Sequence, residues 1–159
     1  MPRFIALILL VPVFIAGCSL SDLTSRIDFD QGILKIGNSE YNVNIAESLA
    51  DKTKGLRGFS ELPEKTGMLF NFTVEDFQTF WNKGVDMALD LIWIKDGEII
   101  GITENIPPIN IDTDIKKIPL YTSPGPVDQV LEVPAGTAEA ENWEPGDSVD
   151  EITESVDDI

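Results

Sequence analysis

The side chains of this 159-residue chain that could do chemistry form a short inventory. The chain has no histidine and a single cysteine, Cys18. These counts exclude Ser-His-Asp and Cys-His catalysis, histidine-ligated metals, thiolate clusters and disulfides within the chain. What remains is the chemistry of carboxylates, hydroxyls, amides, lysines and aromatic rings. Hydrolysis by two carboxylates is the one major mechanism that needs neither histidine nor cysteine.

One run of oxygen-bearing side chains has the alternate spacing with which a calcium loop begins. Asn110, Asp112 and Asp114 would supply its first ligands. An EF-hand also needs glycine at its sixth position and glutamate at its twelfth. Ile115 and Tyr121 stand there, so an EF-hand is excluded and a weak oxygen-ligand site is the disfavoured alternative. We predict no metal site and no cofactor.

The charge of the chain restricts its partners. It carries 28 acidic and 11 basic residues, a formal net charge of −17. A surface this negative repels phosphate backbones, so we predict that the protein does not bind nucleic acid. A hydrophobic content of 43% is too high for a wholly disordered chain, and the length suits one domain.

The cysteine follows an apolar segment at the start of the chain. Residues 4–17 are apolar and would span about 21 Å as a helix, which is short of the roughly 30 Å hydrocarbon core of a membrane. The segment ends in Ile15-Ala16-Gly17-Cys18, which resembles a bacterial lipoprotein signal. We predict that residues 1–17 are a signal peptide, and that lipid on Cys18 anchors the protein to the membrane of the bacterial cell envelope, on the extracytoplasmic side. An uncleaved anchor with a free or buried thiol is the alternative.

The elements that must position any site lie between two polar segments. Residues 18–31 are predicted to be a tether, and the acidic residues 150–159 a disordered tail. In the single domain predicted over residues 32–149, Gly37-Asn38 and Asp96-Gly97 mark two hairpins. Ser48 and Asp51 predict a capped helix over residues 48–54, with Leu49 and Leu56 as its apolar stripe, and residues 137–143 a second short helix.

The spacing of the strands predicts the fold class. Many short strands separated by turns favour a mainly β domain: an antiparallel β-sandwich with jelly-roll character, or a small barrel, with two short helices.

Several blocks of this sequence, in order, resemble a known family. They are Ala46-Glu47-Ser48 with Gly55-Leu56-Arg57-Gly58, Leu62-Pro63 with Gly67-Met68-Leu69-Phe70, Phe80-Trp81-Asn82-Lys83, Ala88-Leu89-Asp90-Leu91-Ile92, Glu104-Asn105-Ile106-Pro107-Pro108, Tyr121 to Pro126, and Leu131 to Thr137 followed by Gly146 to Val149. Together they are similar to domain-of-unknown-function family 192, which comprises small prokaryotic proteins that are often exported or membrane-anchored. The resemblance implies a β-sandwich-like fold and implies little about mechanism.

The chain departs from the family pattern at several places. Asn82 stands where the family has methionine, Gly84-Val85 replaces its usual Asn-Thr, and Ala88 replaces its proline. The loop after Pro108 also lacks a cysteine that is often found there. These departures lie beside the strip of the sequence in which the matching blocks are densest.

The polar and aromatic members of that strip are the candidate site residues. Trp81 would form a flat wall, Lys83 would pair with an anion, and Asp90 and Glu104 would form a carboxylate pair beside Asn105. The structural interpretation, which we favour, makes Trp81 a core aromatic, lets Asp90 accept hydrogen bonds from loop amides, and pairs Glu104 with Lys83. We expect residues 80–90 and 104–108 to form one surface.

Two functions follow from these patterns. The favoured one is a lipid-anchored extracytoplasmic β domain that binds an unknown small ligand or envelope component, with Trp81, Lys83, Asp90, Glu104 and Asn105 as binding residues. The alternative is a carboxylate-dependent hydrolase of envelope glycan, with Asp90 and Glu104 as its catalytic residues. The sequence leaves enzymatic activity uncertain and favours its absence.

Overall fold

The computed structural model describes residues 29–152, so the predicted signal peptide, Cys18 and most of the predicted tether and tail lie outside the described residues. The described residues form nine strands and two α-helices. These are β1 (Asp30–Ile36), β2 (Ser39–Ala46), α1 (Leu49–Lys54), β3 (Thr66–Asp76), β4 (Thr79–Phe80), β5 (Leu89–Lys95), β6 (Glu98–Ile106), β7 (Tyr121–Thr122), β8 (Val127–Pro134), α2 (Thr137–Glu141) and β9 (Val149–Ile152). A 3₁₀ turn over Ile115–Lys117 lies between β6 and β7. No helix in this part of the chain is long and apolar enough to cross a membrane.

Seven strands form one curled sheet in the order β6-β5-β8-β3-β2-β1-β9. All neighbours are antiparallel except β2 and β3, which run parallel. The sheet curls far enough for its edges to meet at one end, where Ile99 N donates to Asp147 O at 2.9 Å and Val149 N donates to Gly97 O at 2.8 Å. The result is a half-barrel, which confirms the predicted mainly β class with two short helices.

The local signals in the sequence produce the predicted turns and caps. Gly37 and Gly97 have φ values of 59° and 73°, which glycine adopts without strain, at the β1–β2 and β5–β6 hairpins. The Ser48 side chain accepts a bond from Asp51 N, and the Asp51 side chain accepts one from Ser48 N, which completes the predicted capping box of α1.

Both sides of the sheet are buried, and side chains alternate between them along each strand. On the α2 side, α2 and the following Trp143 pack onto a core of Leu34, Ile36, Tyr41, Val43, Leu69, Ile92, Ile94, Ile99, Leu131, Val133 and Val149. On the α1 side, Leu56 packs onto a core of Ala46, Met68, Phe70, Val85, Leu89, Leu91, Trp93, Ile106, Val127 and Val130. Strand β5, which lies between β6 and β8, is therefore buried on both sides, as a strand rich in leucine and isoleucine should be.

Three sequence predictions need correction. The apolar stripe of α1 is wrong, because Leu49 is 82% exposed while Leu56 is buried. The predicted domain began at Gly32, but β1 begins two residues earlier, at Asp30. The predicted tail began at Asp150, but Asp150, Glu151 and Ile152 belong to β9 and pair with β1.

Candidate functional site

Asp90 lies on β5, the strand next to the edge strand β6, and is fully buried. Its Oδ1 accepts a hydrogen bond from Asn105 N at 2.9 Å, and its Oδ2 accepts one from Ala138 N at 3.1 Å. Asn105 has a φ of 55°, a left-handed conformation that asparagine tolerates better than most residues. The buried carboxylate is thus satisfied by two backbone amides, one from the end of β6 and one from α2.

The bond to Ala138 explains why an acid is needed at this position. Helix α2 begins after Gly136, which has no side chain to accept from the first free amides of the helix, and no side-chain cap is formed there. Asp90 supplies that acceptor from the neighbouring strand, at the end of the helix where a negative charge is favourable. Asp90 therefore joins three elements of the fold and faces the α2 side of the sheet.

The other predicted acid, Glu104, is in a different environment. Its side chain is exposed, as is that of Asn105. The ion pairs found among the described residues are Lys65–Glu141 and Lys95–Glu75, so the pairing of Glu104 with Lys83 that the favoured structural interpretation predicts is not seen there. Since one acid is buried against amides and the other is exposed, the structure does not present them as a carboxylate pair in one cleft.

The two segments that carried the predicted site do lie side by side. Asn82 Nδ2 donates to Met87 O at 2.9 Å and to Ile106 O at 3.2 Å, and Ile109 N donates to Asn82 O at 2.8 Å. Lys83, which is half-buried, forms a parallel bridge with Ile109. Residues 82–87 therefore lie beside residues 106–109. Asp90, however, is buried on the α2 side of the sheet and Trp81 lines a cleft on the α1 side, so the candidate residues are not brought to one surface. The buried Oδ1 of Asn82 has no hydrogen-bond partner.

Trp81 lies at the edge of a different feature, a cleft on the α1 side of the sheet. The cleft has a volume of about 330 Å³ and is lined by Lys52, Thr53, Arg57, Phe70, Phe72, Gln78, Thr79, Phe80, Trp81 and Glu132. The Trp81 side chain is 49% exposed, so Trp81 is a wall of the cleft and not the core aromatic that the structural interpretation expected. We call this feature the Glu132 cleft.

Glu132 projects from the middle of β8, opposite Met68 of β3 and Leu91 of β5. It is only 5% exposed, and no hydrogen bond or ion pair to its carboxyl group is found among residues 29–152. Burial alone raises the pKa of Glu132 from 4.5 to about 8, because a charged carboxylate is disfavoured where water is excluded. At neutral pH the carboxyl group is therefore mostly protonated and can both donate and accept a hydrogen bond.

The backbone around Glu132 is closely packed. A Cβ atom at Gly67 of β3 would lie 2.8 Å from the carbonyl oxygen of Glu132 and 2.9 Å from the Leu131 side chain. Only glycine lets β3 approach β8 this closely. The glycine of the Gly67-Met68-Leu69-Phe70 block thus lets β3 pack against β8 on the α2 side of the sheet, where Leu131 and Val133 lie.

Aromatic packing holds the walls of the cleft. Phe80 packs edge-to-face on Phe70, with ring centroids 5.0 Å apart, and on Trp93, with centroids 5.8 Å apart. Gln78 N donates to Ser123 Oγ at 3.1 Å, and Ser123 N donates to Gln78 O at 2.9 Å. These contacts fix the short strand β4, which ends just before Trp81.

Two cations complete the lining, and backbone carbonyls hold both. Lys52 Nζ donates to Glu47 O at 2.6 Å and lies 4.9 Å from the centre of the Phe72 ring. Arg57 donates to the carbonyl oxygens of Thr53 and of Lys54, the latter at 3.1 Å. Both cations therefore have restricted positions beside the Glu132 cleft.

A second polar cluster joins Ser39, Lys65, Glu141 and Tyr41. Lys65 Nζ donates to Ser39 Oγ at 3.1 Å and pairs with Glu141. The hydrogen bond to Glu141 is the main cause that raises the pKa of Lys65. A lysine that acts as the base for a serine nucleophile needs a lowered pKa, so this cluster links β2 to α2 and does not resemble a catalytic dyad.

A larger cavity of about 690 Å³ lies along β1 and β2, beside Leu62 and Pro63. Of its lining side chains only Glu151 is titratable, and Glu151 is exposed. Within residues 29–152 there is also no cluster of three or more acidic, cysteine or histidine side chains suited to a metal ion. The Glu132 cleft therefore carries the clearest chemical signal in the described part of the molecule.

Sequence reasoning placed Glu132 in a family-like block but did not single it out. The available signal was the same one that pointed to Asp90, a lone acid in an otherwise apolar strand. Val130, Leu131 and Val133 flank Glu132. A charged residue at a buried strand position needs a partner or a function.

A curled half-barrel with a cleft on one side and two short helices defines a class of small β domain. The family model DUF192, described as an uncharacterized ACR, matches residues 32–151. The chain belongs to this family of unknown function, which confirms the resemblance of its sequence blocks. No curated protein matches the chain.

Two solved structures are similar to this chain over most of its length. One is a "putative transcription regulator" from Sinorhizobium meliloti 1021, with 25% identity and a TM-score of 0.71; the match covers 79% of this chain and 96% of that one. The other is a protein of unknown function from Novosphingobium aromaticivorans DSM 12444, with 26% identity and a TM-score of 0.65; the match covers 77% and 84%. Both support the fold.

Proposed function

We propose that the protein is a lipid-anchored, extracytoplasmic binding module and that the Glu132 cleft is its ligand site. The observation that carries the proposal is the nearly buried carboxyl group of Glu132, which lines an open cleft and forms no hydrogen bond to the residues that the structure describes. Burying such a group without a partner costs folding free energy. Such a group calls for an explanation, and a ligand that supplies the missing partner is the explanation we propose.

The shape of the cleft supports the same proposal. Its volume of about 330 Å³ lies at the lower end of the range for small-molecule sites, which are mostly apolar with a few placed polar groups. Phe72, Phe80 and Trp81 supply apolar walls, while Glu132 and Gln78 supply hydrogen-bonding groups. A tryptophan that is half exposed at the edge of such a cleft can stack on a bound ligand.

The location is proposed from the sequence alone. The apolar segment that ends in Ile15-Ala16-Gly17-Cys18 supports processing and lipidation at Cys18. Two or three acyl chains on that residue would anchor the domain stably, where one chain would not. The hydrolase alternative has no such support, since Asp90 is engaged by two amides and Glu104 is exposed.

Ligand capture from the envelope tests the cleft. Full-length protein is incubated with a low-molecular-weight extract of the bacterial envelope, and retained molecules are measured by mass spectrometry. We expect a retained species that is lost from Trp81→Ala, because Trp81 forms a wall of the cleft. The matched control is Phe77→Ala, which removes another exposed aromatic, 57% exposed and not part of the lining. Equal retention by all three proteins would contradict the proposal.

Mass spectrometry of the mature protein tests the anchor. We expect a product that begins at Cys18 and carries acyl chains. Cys18→Ser should leave an uncleaved precursor or release the domain from membranes, because serine cannot take the thioether-linked lipid. Ser19→Ala is the matched control and should be processed normally. A wild-type product with Met1 intact and no lipid would overturn the anchoring proposal.

A further inference from the structure

We infer that the Glu132 cleft takes a carboxylate anion carried on a flat apolar body, a proposal that rests on the cleft being a binding site. The charges that line the cleft are unlike those of the rest of the protein. Lys52 and Arg57 are its only ionisable groups besides Glu132, although acids outnumber bases by 28 to 11 in the chain as a whole. A ligand in the cleft therefore meets two cations and an uncharged acid.

The protonation of Glu132 makes the cleft selective for an acceptor. A carboxyl group that keeps its proton offers an O–H donor, and a carboxylate oxygen is the acceptor that forms the strongest bond with such a donor. A bound anion further favours the protonated form of Glu132, whereas a bound cation favours its ionisation. Lys52 and Arg57 oppose the cation for the same electrostatic reason.

Lys52 and Arg57 are held in place before an anion binds. Lys52 donates one hydrogen bond to Glu47 O, and Arg57 donates two, to the carbonyl oxygens of Thr53 and Lys54. A lysine carries three donors and an arginine five, so both retain donors for a ligand. Because the carbonyls already restrict these side chains, less conformational entropy is lost when an anion binds.

The aromatic walls of the Glu132 cleft indicate the shape of the rest of the ligand. Phe72, Phe80 and Trp81 present aromatic surfaces, and the Trp81 side chain is 49% exposed. An aromatic ring stacks on such surfaces better than a compact polar ion does. A simple inorganic anion would leave these walls exposed, so the ligand joins a planar apolar part to its carboxylate.

Three probes of nearly equal shape separate the ligand classes. Benzoate, benzamide and benzamidine carry charges of −1, 0 and +1 on one ring. Each is titrated into the full-length protein at pH 6.5, and the Trp81 indole N–H is followed by NMR, with Trp81→Phe used to assign its signal. We expect benzoate to bind at least tenfold more tightly than benzamide, and benzamidine to bind more weakly still.

The outcomes separate this inference from the proposed function. Equal binding of benzoate and benzamide, or tighter binding of benzamidine, would overturn the anion assignment while the cleft remained a binding site. No shift with any probe at millimolar concentration would overturn both proposals.

Variants at Glu132 test the role of the proton. Burial raises the pKa of Glu132 to about 8, so its carboxyl group loses its proton as pH rises through that value. We expect the benzoate affinity of wild type to fall about tenfold as pH rises from 7 to 9. Glu132→Gln keeps an N–H donor that cannot ionise and should bind benzoate equally across that range. Glu132→Leu, which removes the donor, should bind about tenfold more weakly at pH 6.5; if it binds as tightly as wild type, the inference is wrong.

Discussion

Two buried acids on neighbouring strands of the sheet, Asp90 and Glu132, differ in their hydrogen-bond partners. Asp90 of β5 pairs with Val133 of β8, and Glu132 of β8 pairs with Leu91 of β5, so the two acids are nearly adjacent but face opposite sides of the sheet. Asp90 accepts two backbone hydrogen bonds, whereas none to the Glu132 carboxyl is found among residues 29–152. Burial of an acid therefore does not by itself mark a site. Our proposal rests on the combination at Glu132 of burial, an open cleft and the absence of a hydrogen bond to the described residues.

The largest expected effect concerns pH and Glu132. In the unfolded chain its pKa is near the ordinary 4.5, and in the folded protein burial raises that pKa to about 8. Between these values the folded state holds a proton that the unfolded state has lost, so the free energy of unfolding falls as pH rises. The expected slope is about 1.4 kcal/mol per pH unit, or roughly 4 kcal/mol between pH 5 and pH 8.

The composition of the chain makes this effect measurable. No histidine is present to titrate in the same window. The other groups with shifted pKa values titrate outside this pH window. The pKa of Glu141 is lowered, and the pKa values of Tyr41, Lys65 and Lys95 are raised. Urea unfolding across this range should show a decline in wild type and a flat profile in Glu132→Gln. Identical profiles would mean that Glu132 is solvated or has a partner.

The second effect concerns Asp90, the buried acid that has hydrogen-bond partners. Asp90→Ala leaves the buried amides of Asn105 and Ala138 without an acceptor and removes the cap of α2. We expect a loss of about 3 kcal/mol in the free energy of unfolding, measured in urea. Asp86→Ala, at an exposed position four residues earlier, is the matched control and should change stability by less than about 0.5 kcal/mol. An unchanged melting temperature for Asp90→Ala would assign Asp90 to a binding role.

Much of the fold followed from local signals in the sequence. The hairpins at Gly37 and Gly97 and the Ser48 cap depend on a few consecutive residues, and these were predicted correctly. The parallel pairing of β2 with β3 was not predicted, because strand order is decided by tertiary packing. The acidic stretch Asp150-Glu151 is typical of a tail in the sequence, but it lies in β9 and pairs with β1, with both acidic side chains exposed and Val149 buried.

The site was harder to predict for a related reason. An acid in an apolar strand is visible in the sequence at both Asp90 and Glu132, but its partners are not. The amides that satisfy Asp90 come from residues 15 and 48 positions away, and the cations near Glu132 come from α1 and the turn after it. Only the folded chain shows which acid is satisfied.

The smallest expected effect concerns Asn82, which lies between these two extremes. Its Nδ2 donates to the carbonyl oxygens of Met87 and Ile106, while its buried Oδ1 has no partner. Asn82→Met, which introduces the residue that the family has here, loses two hydrogen bonds of about 1 kcal/mol each. The same change removes the unpartnered oxygen, which costs a similar amount, and it adds apolar burial at a site that is 2% exposed. These terms nearly cancel, so we expect the free energy of unfolding in urea to change by less than about 1 kcal/mol.

Asn82→Ala is the control that loses the hydrogen bonds without the added burial, and it should be less stable than Asn82→Met. If Asn82→Met loses as much stability as Asp90→Ala, a half-satisfied side chain anchors the fold as firmly as a fully satisfied one, and unsatisfied polar atoms cannot be used to separate sites from anchors in this protein.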